Sequence, residues 1–270
     1  NKEKNKVLFF LANRAHHSDV GGITPGSMPA FSKSIFDEGI IFNGFTLLKN
    51  KKVLDNKIIQ EFRKTDFPSR DPIQNLNDIK AQLASCNKGA LEMEKIISSY
   101  SLTTVNKYIE HINKNCSDIM QTIIKKIPKS EFSCKLDNNA FIKVKIKFNK
   151  KTKKLDIDFR DCSLLLDNNF NTPTAVTKSV VIYFLRTLIE ENLPLNEGVL
   201  RDIDLKFSKN SMLSPIHPAP VVAGNVETSQ TLIDILNGAI GIQAACYGTM
   251  SNITFGDKNF GYYETICGGE

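Results

Sequence analysis

The chain has 270 residues, 41% hydrophobic and 24% charged, with 35 Lys and Arg against 29 Asp and Glu for a net charge of +6. That balance is ordinary for a soluble globular protein of one large or two small domains. No uninterrupted apolar run approaches the roughly 20 residues needed to span a bilayer, so no membrane role is expected. The cysteines at 86, 116, 134, 162, 246 and 267 show no CxxC spacing, which excludes a zinc ribbon and a small disulfide scaffold.

In chain order, the charged start at 1–6 leads into only six apolar residues, too few for a signal peptide. That run, residues 7–12, predicts a buried strand. It enters Arg14-Ala-His-His-Ser-Asp-Val-Gly-Gly22 and then Ile23-Thr-Pro-Gly-Ser-Met-Pro29, whose glycines and prolines predict a tight loop. Residues 40–42 and 45–48 predict short strands around an Asn43-Gly44 turn. Apolar residues at helical spacing, from Leu76 and Ile79 to Ile119 and Ile123, predict two or three helices over 75–127, interrupted at Gly89 and Ser98-Ser99.

The pattern then changes to strands. Lys143, Lys145 and Lys147 alternate with Val144 and Ile146, and Leu155, Ile157 and Phe159 alternate with Asp156 and Asp158, which predicts an antiparallel hairpin with its lysines on the solvent face. No aromatics interleave with these lysines, so nucleic acid is not an expected partner. Residues 174–191 predict an apolar helix ended by Asn192-Leu-Pro194, residues 203–207 a strand, and residues 227–246 a helix rich in small residues. The expected fold is α+β: mixed, mainly antiparallel strands, a segregated helical region and a small-residue-rich C-terminal helix. Its expected segments are 1–50, 51–130 and 131–270 of one unit. Free thiols are expected in a reducing compartment, hence a cytoplasmic location.

The chemistry-bearing residues cluster in a few motifs. If 15–19 is extended, His17 and Asp19 share a face and His16 points the other way. An imidazole and a carboxylate suit zinc, manganese or iron; a turn at Ser18 makes His16 the ligand instead, and the bland alternative is a pair of core histidines. Gly21 and Gly22 either offer backbone N–H groups to a substrate oxygen or form a plain turn. Arg14 either clamps a substrate carboxylate or, as we favour, pairs with Asp19.

Asn225, Glu227 and Thr228 open a helix, where Asn225 or Thr228 is an N-cap or the polar helix start lines an active site. Glu264 alternates with Tyr262 and Tyr263 in a strand and is an acid–base candidate or a buried hydrogen-bonding group. Cys267 has no nearby basic group and reads as an ordinary thiol. His217, among prolines, reads as scaffold and His111 as helix surface. Neither a Walker loop nor a Rossmann fingerprint is present, so ATP is not expected to bind here through either motif.

Taken together, the two N-terminal motifs, Gly224-Asn-Val-Glu-Thr-Ser-Gln230, Gly248-Thr-Met-Ser-Asn252, Gly261-Tyr-Tyr-Glu-Thr265 and Gly268-Gly269 resemble the hydantoinase B family across essentially the whole chain. That family includes N-methylhydantoinase B subunits, acetone carboxylase alpha subunits and the C-terminal half of ATP-dependent 5-oxoprolinases. Asn75-Leu-Asn-Asp-Ile-Lys-Ala-Gln82 and His111-Ile-Asn-Lys-Asn115 make the resemblance nearest to the last.

The resemblance implies ATP-dependent opening of 5-oxo-L-proline to L-glutamate. It supports a divalent metal at His17 and Asp19, or His16, with its ligand set completed from an upstream segment; beside it, the candidate substrate contacts are Arg14, Gly21, Gly22 and Asn225, and the candidate catalytic residues are Glu227 and Glu264. ATP with Mg is expected on a separate hydantoinase A-type domain or subunit, with a small cyclic amide as substrate and a homo-oligomeric assembly. An upstream Gly-Gly-Thr-His-x-x-Asp segment and a longer C-terminus, usual in the family, are not in this sequence, so a fragment is expected. Hydantoin hydrolysis, ketone carboxylation and a non-catalytic scaffold are the alternatives.

Overall fold

The computed structural model describes residues 6–191, 193–194, 196–249 and 251–266; Asn192, Cys267 and the Gly268-Gly269 pair lie outside them. Two short strands, β1 (Leu48–Lys49) and β2 (Lys52–Val53), precede helices α1 (Asp55–Arg63), α2 (Pro72–Tyr100) and α3 (Leu102–Ile124). Strands β3 (Ser130–Lys135), β4 (Phe141–Asn149) and β5 (Lys154–Asp158) lead to α4 (Thr174–Thr187) and β6 (Ile203–Lys206). A π-helical turn, Gly224–Thr228, runs into α5 (Ser229–Ile240), and β7 (Asn252–Gly256) and β8 (Gly261–Thr265) close the described chain.

The fold is α+β, with the main sheet in the order β3-β4-β5-β6. β3, β4 and β5 pair antiparallel, while β6 joins β5 in parallel after the crossover through α4. The alternation in β4 sends Ile142, Val144 and Ile146 inward, where they meet Leu155 and Ile157 of β5, Phe184 of α4, Leu232 and Leu236 of α5 and Met120 of α3. Burial of this apolar face is the main force holding the sheet to its helices. The opposite face carries Glu131–Lys143, Lys145–Asp161, Lys206–Asp156 and Lys154–Asp204 ion pairs.

A smaller core gathers Ile58 and Phe62 of α1 with Leu76 and Ile79 of α2. Val20, Ile40, Phe45 and Leu47 pack onto it, so the N-terminal loops are anchored to the first helices. Asp71 caps α2 by accepting from Gln74 N at 2.9 Å. α2 runs through Gly89 and stops only at Ser101, whose φ of 69° turns the chain and whose Oγ accepts from Thr104 N to start α3.

Three local expectations are corrected. Residues 7–12 are not a buried strand: Phe10 is 92% exposed, and the segment lies along α2 with Leu11 against Gly89. An apolar run states a burial preference but becomes a strand only where a sheet edge is adjacent, and the described sheets lie elsewhere. The hairpin sits at β1–β2, not around Asn43-Gly44; Asn50 and Lys51, with φ of 50° and 63°, form its turn. The last long helix ends at Ile240 rather than 246, because Gly241 takes the left-handed conformation that stops it.

Candidate functional site

The motif loop closes on Asp19. Its Oδ1 accepts from Gly21 N at 2.9 Å and Arg70 N at 3.2 Å. Its Oδ2 accepts from Gly26 N at 2.9 Å and Arg70 Nη1 at 3.1 Å. A carboxylate offers about four acceptor sites, and all four are used. Asp19 therefore ties the Gly21–Gly26 turn to the segment before α2. Arg70, a residue not singled out from sequence, is its ion-pair partner; the expected Arg14–Asp19 pair is not formed, and Arg14 is exposed.

Gly21 and Gly22 have φ of 87° and 93°, a conformation that L side chains avoid. A Cβ at Gly21 would fall 2.3 Å from Phe67 O, and one at Gly22 2.6 Å from Asp37 O. Their N–H groups are already used, Gly21 by Asp19 and Gly22 by Phe67 O at 2.9 Å. These glycines build the turn, so the expected backbone cradle for a substrate oxygen is corrected to a structural role.

His17 is read by one face of α2. Asn75 Nδ2 donates to His17 Nδ1 at 3.1 Å, and His17 Nε2 lies 3.3 Å from Gln82 Oε1. An amide NH2 can only donate, so Nδ1 accepts and Nε2–H donates to Gln82. Asp78 Oδ2 is 3.5 Å from the same Nδ1, too long to displace the Asn75 bond. The buried Asn75 also donates to the Asp19 carbonyl at 2.7 Å and accepts from Ser69 Oγ at 2.5 Å.

The described residues do not by themselves assemble the expected metal centre, whose remaining ligands are expected from an upstream segment. Asp19 has its acceptor sites filled by N–H donors, both His17 nitrogens are bonded, and among the described residues no three His, Cys, Asp or Glu side chains converge. His16 is exposed and belongs to no such cluster.

The motif loop meets the C-terminal hairpin. Gly26 abuts Tyr263, Thr254 Oγ1 donates to Pro25 O, and Gly261 lies over Asp19 and Arg70. Glu264 itself is exposed and accepts from Tyr262 O–H at 2.5 Å, and this bond to a carboxylate holds the Tyr262 phenol above its usual pKa.

Glu227 faces a different space. A cleft of about 1190 Å³ lies between β3, α5 and residues 241–249, lined by Phe132, Phe170, Glu227, Asp234, Cys246 and Thr249 among others. Gly238 of α5 packs on the Phe132 ring and forms part of its floor. Thr249 Oγ1 donates to Glu227 Oε1, and Cys246 N donates to Asp234 Oδ1 at 3.1 Å, so two carboxylates strap the outer loop to the π-helical turn and to α5. Asn225 is exposed and lines a neighbouring groove of about 470 Å³. The structure thus separates the expected site residues: His17 and Asp19 at the motif loop, Glu227 in the cleft, Asn225 beside it and Glu264 on the hairpin surface.

The helix start also has an unexpected cap. Neither Asn225 nor Thr228 caps it; Glu38, from a distant loop, accepts from Val221 N at 2.8 Å and Val222 N at 3.1 Å.

A family model described as "Hydantoinase B/oxoprolinase" matches residues 2–270. The chain belongs to this family. It is 38% identical over 98% of its length to a 5-oxoprolinase of Dictyostelium discoideum, of which it spans 21%. It is 36% identical over 99% of its length to 5-oxoprolinase 1 of Arabidopsis thaliana, of which it spans 23%. The chain therefore covers between a fifth and a quarter of these relatives. The fold is shared with the ATP-dependent caprolactamase from Pseudomonas jessenii, at a TM-score of 0.73 and 19% identity, over 92% of this chain and 45% of that one. It is also shared with nucleotide-free acetone carboxylase, at a TM-score of 0.70 and 12% identity, over 93% of this chain and 37% of that one.

Proposed function

We propose that the chain is the hydantoinase B-type part of an ATP-dependent 5-oxoprolinase, opening 5-oxo-L-proline to L-glutamate. The carrying observation is the 38% identity, over 98% of the chain, to the Dictyostelium 5-oxoprolinase. ATP with Mg belongs to a hydantoinase A-type domain or subunit, which phosphorylates the lactam oxygen. Amide resonance makes a lactam carbon a poor electrophile; phosphorylation provides a leaving group and removes that resonance.

In this reading the α5 cleft takes the activated ring. Glu227, half-buried and oriented by Thr249, is the general base: it takes a proton from water as the new C–O bond forms. The ring C–N bond breaks with its nitrogen protonated, and phosphate leaves on attack by a second water. No step is routed through a metal.

The test is a substrate panel in the complete protein. 5-Oxo-L-proline, hydantoin, caprolactam and acetone with bicarbonate are each supplied with ATP and Mg, and ADP and organic product are measured together. Glutamate forming in proportion to ADP with 5-oxoproline supports the reading. Turnover of another compound with none of 5-oxoproline would replace it.

A further inference from the structure

We infer that Glu38 is a positioning residue for the α5 cleft, its buried carboxylate holding in place the helix end that carries Glu227. The inference rests on the proposed reading of that cleft. Glu38 is only 8% exposed, yet no Lys, Arg or His pairs with it among the described residues. Its charge is met by polar hydrogens instead. Oε1 accepts from Val221 N at 2.8 Å, Val222 N at 3.1 Å and Ser32 Oγ at 2.8 Å, and Oε2 from Val221 N at 3.0 Å.

Val221 and Val222 stand at the first helical turn, where backbone N–H groups lack internal partners and the helix dipole favours a negative charge. A Ser or Asn in the chain itself would satisfy such a turn without burying a charge. A carboxylate reaching from 183 residues away does something a local cap cannot: it fixes the helix start relative to the motif loop. Ile35 N donates to Pro218 O at 3.0 Å, and Asn169 Nδ2 binds Pro29 O at 2.8 Å and Ser32 Oγ at 3.2 Å, so the Glu38 loop is itself held on this side of the molecule.

From Val222 the chain enters the π-helical turn, which sets the azimuth of every side chain after it. Glu227 is the side chain of that turn that reaches the cleft, within one and a half turns of the Glu38 contact. A shift of the helix start therefore moves Glu227, while residues further along α5, packed through Leu232 and Leu236, stay with the core. Burial pushes the Glu38 carboxyl above its usual pKa, and the Val221 and Ser32 hydrogen bonds partly oppose that rise.

The experiment compares Glu38→Ala, Glu38→Gln and Glu38→Asp in the complete protein. Amide exchange over 221–228 is followed by mass spectrometry, and kcat and KM for 5-oxoproline and ATP are measured. Glu38→Ala is expected to speed exchange over 221–228 and to lower kcat, each by about tenfold or more, with KM for ATP unchanged. Glu38→Gln, whose carbonyl still accepts from both amides, is expected to recover most of both losses.

Unchanged exchange in Glu38→Ala, or faster exchange with unchanged kcat, overturns the inference. If Glu38→Ala does not fold, Glu38→Asp decides: its carboxylate, one methylene short, must give faster exchange and lower kcat, and wild-type values overturn the inference. If the wild type turns over no 5-oxoproline, the proposed function fails, and the exchange measurement still accepts or rejects the hold of Glu38 on the helix start.

Discussion

The Arg70 guanidinium donates to Asp19 Oδ2 at 3.1 Å across 51 residues of sequence, and the same arginine's backbone N–H donates to Asp19 Oδ1. The two side chains are 13% and 9% exposed, so this pair is nearly dry. Removing one member strands the other's charge, and breaking such a pair costs about 3 kcal/mol or more. Asp19→Ala is expected to lower unfolding stability by that amount in urea titration, and Arg14→Ala, an exposed change, by less than about 0.5 kcal/mol. Equal effects of the two variants would contradict the assignment of Arg70 as the partner.

Gly21→Ala tests the turn itself. The new methyl meets Phe67 O and the residue must hold a φ of 87°. Left-handed strain alone costs about 1–2 kcal/mol, and the overlap adds to it. A loss of at least about 2 kcal/mol is expected by the same titration. Tolerance of alanine would mean that the turn is looser than described.

Removing metal is expected to leave the loop intact. Asp19 and His17 find all their partners within the protein, so prolonged chelator treatment should leave the melting temperature unchanged. A fall of several degrees, restored by zinc, manganese or iron, would place an ion in the motif loop and reverse the assignment of Asp19.

Much of the fold was readable because the pattern and the packing share a cause. The 141–158 hairpin alternates because one face of the sheet is buried, so the sequence period and the core are one fact. Residues 7–12 misled for the opposite reason: their apolarity states a preference and not a neighbour. The candidate site was less legible. Asn75, Asp78 and Gln82 stand three and four residues apart, which places them on one helix face, but nothing local says that His17 is what they face. Glu38 carries no sequence signal, since its partners are backbone amides 183 and 184 positions away.

Thiol chemistry separates the cysteines. Cys162 donates to Lys143 O at 3.4 Å, and burial pushes its pKa up to about 11. Burial also raises Cys116. At pH 8 neither holds much thiolate, the reactive form, whereas Cys246 is exposed. Among the described cysteines, iodoacetamide footprinting of the folded protein should label Cys246 first and leave Cys162 and Cys116 unmodified until denaturant is added. Early labelling of Cys162 would show that its cover opens.

Acid stability should depend on Arg160. Its contact, Nε to Asp158 Oδ1 at 3.0 Å and Nη2 to Oδ2 at 2.6 Å, holds the Asp158 carboxyl below its usual 3.8. A lowered folded-state value means that the unfolded chain binds the proton more readily, so this contribution is fully present above 3.8 and is lost as pH falls through the lower folded value. Arg160→Gln should therefore reduce stability near neutral pH and flatten its dependence below pH 4. An identical slope in wild type and variant would remove Asp158 from the acid transition.

In the proposed function, the α5 cleft carries out cyclic amide opening with Glu227 as base. Its most direct test is the initial rate of ATP-dependent glutamate formation from 5-oxo-L-proline by wild type and Glu227→Gln, with circular dichroism to verify folding. Loss of a general base predicts a kcat lower by about a hundredfold or more at an unchanged fold. A folded Glu227→Gln protein that forms glutamate within twofold of the wild-type rate would rule out Glu227 as the base.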